Sequence, residues 1–295
     1  MADQAERLRE ISKNNDNVAS ANSTGVCRMV AVSSGKGGVG KTNFVVNMAL
    51  LLAQWNQRVT VIDADLGLAN VDVLINAIPK YTLTDVINGT KDLSDIILKG
   101  PYDLKVIPGG SGFASMANLD IESRNRLISK LKVLEKENDF ILIDTGAGIS
   151  RNVLSFVGAA EELIIITTPE PTALTDAYGM LKILSENGFV TRASVVVNFA
   201  RDLAQGQEVF NRLERVLQRY VPNMKVTYLG GIINDPIVKR AVEECRPFVV
   251  NFPKSLAAQS VNKIARRFLY QEESGEVVER KGVQGFINRL MRLIK

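Results

Sequence analysis

Residues 35–42 read Gly35-Lys36-Gly37-Gly38-Val39-Gly40-Lys41-Thr42. They satisfy G-x-x-x-x-G-K-[ST], the loop whose backbone N–H groups cradle nucleotide phosphates. Glycines let the chain come close to an anion, and the positive end of the helix that follows faces it. In this pattern Lys41 reaches the β- and γ-phosphates and the Thr42 hydroxyl holds Mg²⁺. Lys36 is a second cation inside the same loop. A nucleotide held by one subunit needs only one loop lysine, so Lys36 calls for another role.

The chemistry needs more than the loop. Phosphoryl transfer requires a metal, positive charge on the γ-phosphate and an oriented water. In open α/β sheets, ligands sit beyond the carboxyl ends of the strands. Two apolar runs end in carboxylates there: 59–63 runs into Asp63-Ala64-Asp65-Leu66-Gly67, and 139–143 into Asp144-Thr145-Gly146-Ala147-Gly148. Asp144 follows four apolar residues and has the look of a Walker-B carboxylate, holding Mg²⁺ directly or through water. Asp63 and Asp65 have two candidate jobs, metal support and water orientation, although strand-end turns favour Asp for reasons of their own. Thr145, Gly146 and Gly148 form a loop able to move as the γ-phosphate comes and goes. The base follows from a missing element. No Asn/Thr-Lys-x-Asp run follows the strand Val195-Val196-Val197-Asn198, whereas the Asn198 amide can meet adenine, which favours ATP over GTP.

These residues need a scaffold. Met29–Ser33 is a short apolar run of the buried-strand kind, and Phe44, Val45, Met48, Leu51, Leu52 and Trp55 recur at helical spacing after the loop. Further strands are expected at 59–63, 104–108, 139–143, 163–168, 193–198 and 226–232. Helices are expected near 42–56, 82–87, 121–136, 151–159, 173–187, 206–220, 235–244 and 255–268. Strands apolar on both faces, such as Phe140-Ile141-Leu142-Ile143, imply a doubly wound α/β fold, a mostly parallel sheet with helices on both sides. The chain has 295 residues, 46% of them hydrophobic, and a formal charge of +4. That charge is mild and demands neither nucleic acid nor anionic lipid. With two distant cysteines, no CxxC and no histidine, a single chain lacks the ligands for a zinc or Fe–S site. No signal peptide or membrane-spanning run is visible, so a reducing cytoplasm is the expected compartment.

The paired lysines of the loop, Asp63 with Asp65, and the Asp144–Gly148 run resemble the MinD/ParA family of deviant Walker-A ATPases, P-loop NTPases of the SIMIBI class. The resemblance covers about residues 28–268. It implies an ATP- and Mg²⁺-dependent hydrolase that dimerises face to face when loaded with ATP. It also implies that Lys36 crosses to the partner subunit's phosphates and Asp65 orients the attacking water. Asp63 and Asp144 would then stand around the metal, with Asn198 at adenine.

The two ends refine this. Residues 3–11 read as a short helix, and 12–25 as a polar linker. Asp3-Gln4-Ala5-x-x-Leu8-Arg9 looks like the N-terminal motif of the flagellar number regulators of FlhG (FleN) type. That resemblance implies stimulation of the SRP-type GTPase FlhF, with Gln4 acting near the GTP. It also implies contacts with flagellar switch (C-ring) proteins and, in polar-flagellated bacteria, with a flagellar transcription activator. At the far end 271–282 is polar. On a helix, Val283, Phe286, Ile287, Leu290, Met291, Leu293 and Ile294 then fall on one arc, opposite a basic face. Such a segment lies on a membrane surface or docks on the core. The polar tether and basic face favour lipid, and the resemblance implies reversible association with the cytoplasmic face of the inner membrane. The expected organisation is thus an activator segment at 1–25, an ATPase domain at 26–270, and a tether with a membrane helix at 271–295. A ParA-type DNA-partitioning ATPase is the first rival, although Arg266-Arg267 and Lys239-Arg240 are too few to neutralise many phosphates. MinD-like control of division-site placement is the second.

Overall fold

The computed structural model describes residues 27–65, 71–109, 121–270 and 282–294, with side chains omitted over 121–125. Asp3, Gln4, Leu8, Arg9, the 12–25 linker and most of the 271–282 tether lie outside the described residues.

Eight strands form one sheet: β1 (Arg28–Ser34), β2 (Val59–Ala64), β3 (Leu98–Lys99), β4 (Lys105–Pro108), β5 (Phe140–Ala147), β6 (Glu162–Thr167), β7 (Arg192–Ala200) and β8 (Lys225–Ile233). Their spatial order is β3-β4-β2-β5-β1-β6-β7-β8. Neighbours pair in parallel except the edge pair β3–β4, which is antiparallel. The seven expected strands are all present. The two-residue β3 is additional, too short to leave a periodic signal.

Helices cover both faces. On one side pack α1 (Lys41–Gln54), α2 (Val71–Leu74), α9 (Pro236–Glu243), α10 (Phe248–Asn251) and α11 (Leu256–Tyr270). On the other pack α3 (Leu83–Ile87), α4 (Leu93–Ile96), α5 (Ile121–Glu137), α6 (Arg151–Ala159), α7 (Pro171–Glu186), α8 (Leu203–Tyr220) and α12 (Gly282–Ile294). Val30 and Val32 of β1 face the first layer, and Met29 and Ala31 face the second. This is the period-2 alternation of a strand buried on both sides.

The last helix departs from the lipid-facing expectation. Phe286, Ile287, Leu290, Met291 and Ile294, the side chains expected at a membrane, are buried in the core, together with Val283. They share one apolar cluster with Met29, Ile62, Ile141, Leu127, Leu131 and Phe156. The docked alternative is therefore the arrangement that the described residues adopt. The cause is complementarity: the apolar arc of α12 fills the space between α5 and α6. Gly158 of α6 admits Leu293, whose Cδ1 would lie 3.1 Å from any Cβ at 158. Gly282 starts the helix at φ +58, its N–H donating to Glu161 Oε1 at 2.8 Å.

Candidate nucleotide site

Because β1, β2, β5, β6 and β7 run parallel, their carboxyl ends share one edge of the sheet. The P-loop, the Asp63–Asp65 turn, the 144–148 segment, residues 168–172 and Asn198 all collect there. Thr145 and Gly146, expected in a loop, are instead among the last residues of β5, held by pairing with β1 and β2, and only Gly148 lies beyond the strand. Strand order reverses around β1, which lies between β5 and β6, so the crevice for a ligand opens at the loop that follows it.

The loop is shaped by two left-handed glycines, Gly38 at φ +78 and Gly40 at φ +83. The first turn of α1 begins immediately after, at Lys41. Its leading N–H groups are those an anion can occupy. Gly35 is required for a different reason. A Cβ there would stand 2.2 Å from the backbone carbonyl carbon of Asp176 and 2.6 Å from the Ala177 nitrogen. The P-loop therefore lies directly on the backbone of α7.

Lys41 Nζ donates to Asp144 Oδ1 at 2.6 Å, and Asp144 is completely buried. Burial pushes the Asp144 carboxyl up from its ordinary value, while Lys41 and the adjacent Thr42 hydroxyl oppose the shift. Oδ2 of Asp144 has no hydrogen-bond partner among the described residues. A buried carboxylate oxygen left unpaired beside a phosphate-binding loop is what a hard, oxygen-seeking cation would satisfy. The residues present fit Mg²⁺ held through Thr42 and Asp144, with Asp63 next to them. The register pairs Asp63 with Asp144 across β2 and β5. Asp63 also accepts N–H groups from Asp65 (3.1 Å) and Val71 (3.4 Å), which shapes the turn carrying Asp65. Asp65 Oδ1 lies 3.6 Å from where a Cβ on Gly146 would be. The turn after β2 and the end of β5 therefore lie against each other at this point.

Thr145 is buried, its Oγ1 2.8 Å from Ser33 Oγ and 3.1 Å from the Val32 carbonyl. It anchors the end of β5 to β1. Gly148, at φ +85, donates its N–H to the Ser34 carbonyl at 2.8 Å. α6 begins three residues later, at Arg151, with Ser150 as its cap.

Asn198 performs a task that the sequence did not disclose. Its Nδ2 donates to the Val39 carbonyl at 2.8 Å, and its Oδ1 accepts from the Phe199 N–H at 2.9 Å. The amide straps the P-loop to the end of β7, leaving one amide hydrogen for a base.

Lys36 is not directed at Asp144. Its Nζ donates to Glu170 Oε2 at 2.9 Å and Thr172 Oγ1 at 3.1 Å, at the start of α7. Glu170 and Thr172 escaped the sequence reading because carboxylates were sought only after β2 and β5. The same rule applied to β6 would have reached them.

Comparison with known proteins agrees with this geometry. The AAA domain family model matches residues 27–195, and the model described as NUBPL iron-transfer P-loop NTPase matches 124–269. The chain is 40% identical to the antiactivator FleN of Pseudomonas aeruginosa over 81% of its own length and 85% of that protein. It is 31% identical to the flagellum site-determining protein YlxH of Helicobacter pylori over the whole of both chains. Among solved structures it superposes on MinD from Pyrococcus horikoshii bound to Mg-ADP with a TM-score of 0.65 and 26% identity. That match covers 85% of this chain and all of the other. A phosphate loop with a second lysine, a buried Lys41–Asp144 pair open to a cation, and these relatives together place the chain in the MinD/ParA family of P-loop ATPases, acting on ATP with Mg²⁺.

Proposed function

We propose that this ATPase is a nucleotide-gated switch that sets flagellar number and placement. It would cycle between a monomer and an ATP-loaded face-to-face dimer held at the cytoplasmic face of the inner membrane. The flagellar assignment draws on FleN and YlxH, similar over most of the chain, and on the Asp3–Arg9 motif. Within the cycle Lys41 and Thr42 hold the phosphates and Mg²⁺, and Asp63 and Asp144 surround the metal. Asp65 orients water, and Lys36 reaches the partner's phosphates. Mg²⁺ supplies charge neutralisation at the γ-phosphate. Gln4 stimulates the FlhF GTPase. Flagellar switch proteins and a flagellar transcription activator are the further partners, while DNA is not one.

The observation carrying membrane control is the seat of α12 against α6. Six apolar side chains are stored there, each worth roughly 1.5–3 kcal/mol when fully buried. The same side chains cannot face lipid while docked, so membrane binding requires undocking. α6 begins at Arg151, three residues beyond Gly148, which follows the end of β5. A γ-phosphate that pulls on this strand end therefore loosens the docking surface. The docked state is imperfect in two respects. An apolar cavity lined by Met29, Ile62, Leu131, Val283, Phe286 and Ile287 lies beneath the helix. Nε and Nη2 of Arg289 are buried without hydrogen-bond partners among the described residues. Both features lower the cost of release. Two released helices in a dimer then bind by avidity.

The test is flotation with anionic liposomes for wild type and Asp65→Ala, in ATP and in ADP. The expected result is recovery with ATP only, greatest in the mutant, whose ATP dimer does not turn over. Equal recovery in both nucleotides would remove membrane control. A normal flagellar count in a deletion strain would remove the flagellar assignment.

A further inference from the structure

We infer that Glu170 and Thr172 form a latch that holds Lys36 within its own subunit and so sets the threshold for ATP-driven dimerisation. The inference rests on the proposed trans role of Lys36. Lys36 Nζ lies 2.9 Å from Glu170 Oε2 and 3.1 Å from Thr172 Oγ1, with side chains 41% exposed on Lys36 and 66% on Glu170. The receiving groups are fixed relative to the loop. Glu170 stands at the N-terminal boundary of α7, its side chain making no capping bond, and Pro171 opens the helix; the same helix lies 2.2 Å from a would-be Cβ on Gly35. Latch and P-loop therefore move as one body, and only the lysine side chain needs to swing.

The latch is weak by construction. An exposed ion pair contributes little. The positive end of α7 repels a cation, so the Glu170 carboxylate, helped by the Thr172 hydroxyl, is what draws the lysine there. A partner's triphosphate, with several charges in a water-excluded interface, outcompetes one exposed carboxylate. ADP, lacking the γ-phosphate, competes less well. Lys36 then exchanges one anion for another on dimerisation, and Glu170 sets how much charge the partner must present. Glu170 is thus a positioning residue: it acts through Lys36 and touches no substrate.

The experiment measures the dimer dissociation constant with a non-hydrolysable ATP analogue by light scattering, for wild type, Glu170→Gln and Thr172→Val. Two latches open per dimer, so Glu170→Gln should tighten the dimer about three- to tenfold, and Thr172→Val less, in the same direction. The advantage of Glu170→Gln should shrink towards none at 1 M salt, where exposed charges are screened. Brief amine acylation of the nucleotide-free monomer, read by mass spectrometry, should modify Lys36 faster in Glu170→Gln. An unchanged or weaker dimer, or a salt-independent gain, overturns the latch. Should wild type fail to dimerise with the analogue, the trans-lysine mechanism falls instead. Acylation then decides the latch, with equal rates overturning it.

Discussion

Lys41 and Asp144 are joined at 2.6 Å at the floor of the nucleotide site, and the second carboxylate oxygen of Asp144 is left unpaired among the described residues. Removing the carboxylate leaves a buried ammonium without its counter-charge, a loss of about 3–5 kcal/mol for a buried pair. Asp144→Asn keeps the shape and removes the charge. We expect turnover at saturating Mg·ATP to fall at least ~100-fold, in line with the loss of charge stabilisation at a phosphoryl group. Titrating Mg²⁺ against ATPase rate should show the requirement displaced to much higher metal. An unaltered Mg²⁺ profile would separate Asp144 from the metal.

Gly35 is the second point of vulnerability. Any Cβ meets α7 backbone that has no rotamer with which to retreat. Overpacking of this kind costs about 1–3 kcal/mol. Gly35→Ala should therefore lower the melting temperature and weaken ATP binding together, measured by calorimetry on the same preparation. Gly179→Ala, within α7 and outside the phosphate loop, is the control, since a Cβ there meets nothing within 4 Å.

Asn198→Ala cuts the strap between β7 and the P-loop. A neutral hydrogen bond of this kind contributes about 1 kcal/mol, so ATP and GTP affinities should each drop about fivefold. Binding isotherms for both nucleotides check this. A loss confined to ATP would assign the amide to adenine rather than to the loop.

Val283→Ile reaches into the cavity beneath α12 and should hold the helix down. Filling such a gap recovers about 1 kcal/mol. Amide exchange over 282–294 should slow, and ATP-dependent liposome recovery should fall. Leu290→Ala should do the reverse in exchange, because Leu290 is wholly buried in the docked state.

A control away from the site concerns acid stability. Asp139 is partly buried, which by itself raises its pKa, but hydrogen bonds from Arg58 outweigh burial and hold the carboxyl below its ordinary 3.8. A carboxylate lowered in the folded state contributes stability that is present above its unfolded pKa and lost as pH falls through the folded one. Arg58→Ala should therefore cost about 0.5–1 kcal/mol near neutrality, given that Arg58 is largely exposed. In denaturant titrations the difference from wild type should shrink as pH falls below 3.8 and Asp139 takes up its proton.

Much of the site could be read in the chain. The P-loop is local: glycines at 38 and 40 and a lysine and threonine at 41–42 require only one turn of backbone to act. Asp63 and Asp144 were legible because each follows a short, mostly apolar run, and parallel strands must bring such residues to a common edge. Lys36 stood out as a surplus charge, but the residues holding it did not. Glu170 is 134 positions away in sequence, and the pairing depends on β6 lying beside β1. The strap from Asn198 to Val39 spans 159 positions and was hidden for the same reason.

The last helix marks the boundary most clearly. The sequence alone determined that 283–294 is amphipathic, since periodicity is a property of neighbours along the chain. It did not determine what covers the apolar arc, because lipid and protein core present equally apolar surroundings to a leucine. Only the tertiary structure decided that, by supplying a groove between α5 and α6 lined with Leu127, Leu131 and Phe156, floored by the small Gly158 and matched in shape to α12. Composition specifies how much surface must be buried, but the partner surface exists only after the strands have been ordered into a sheet.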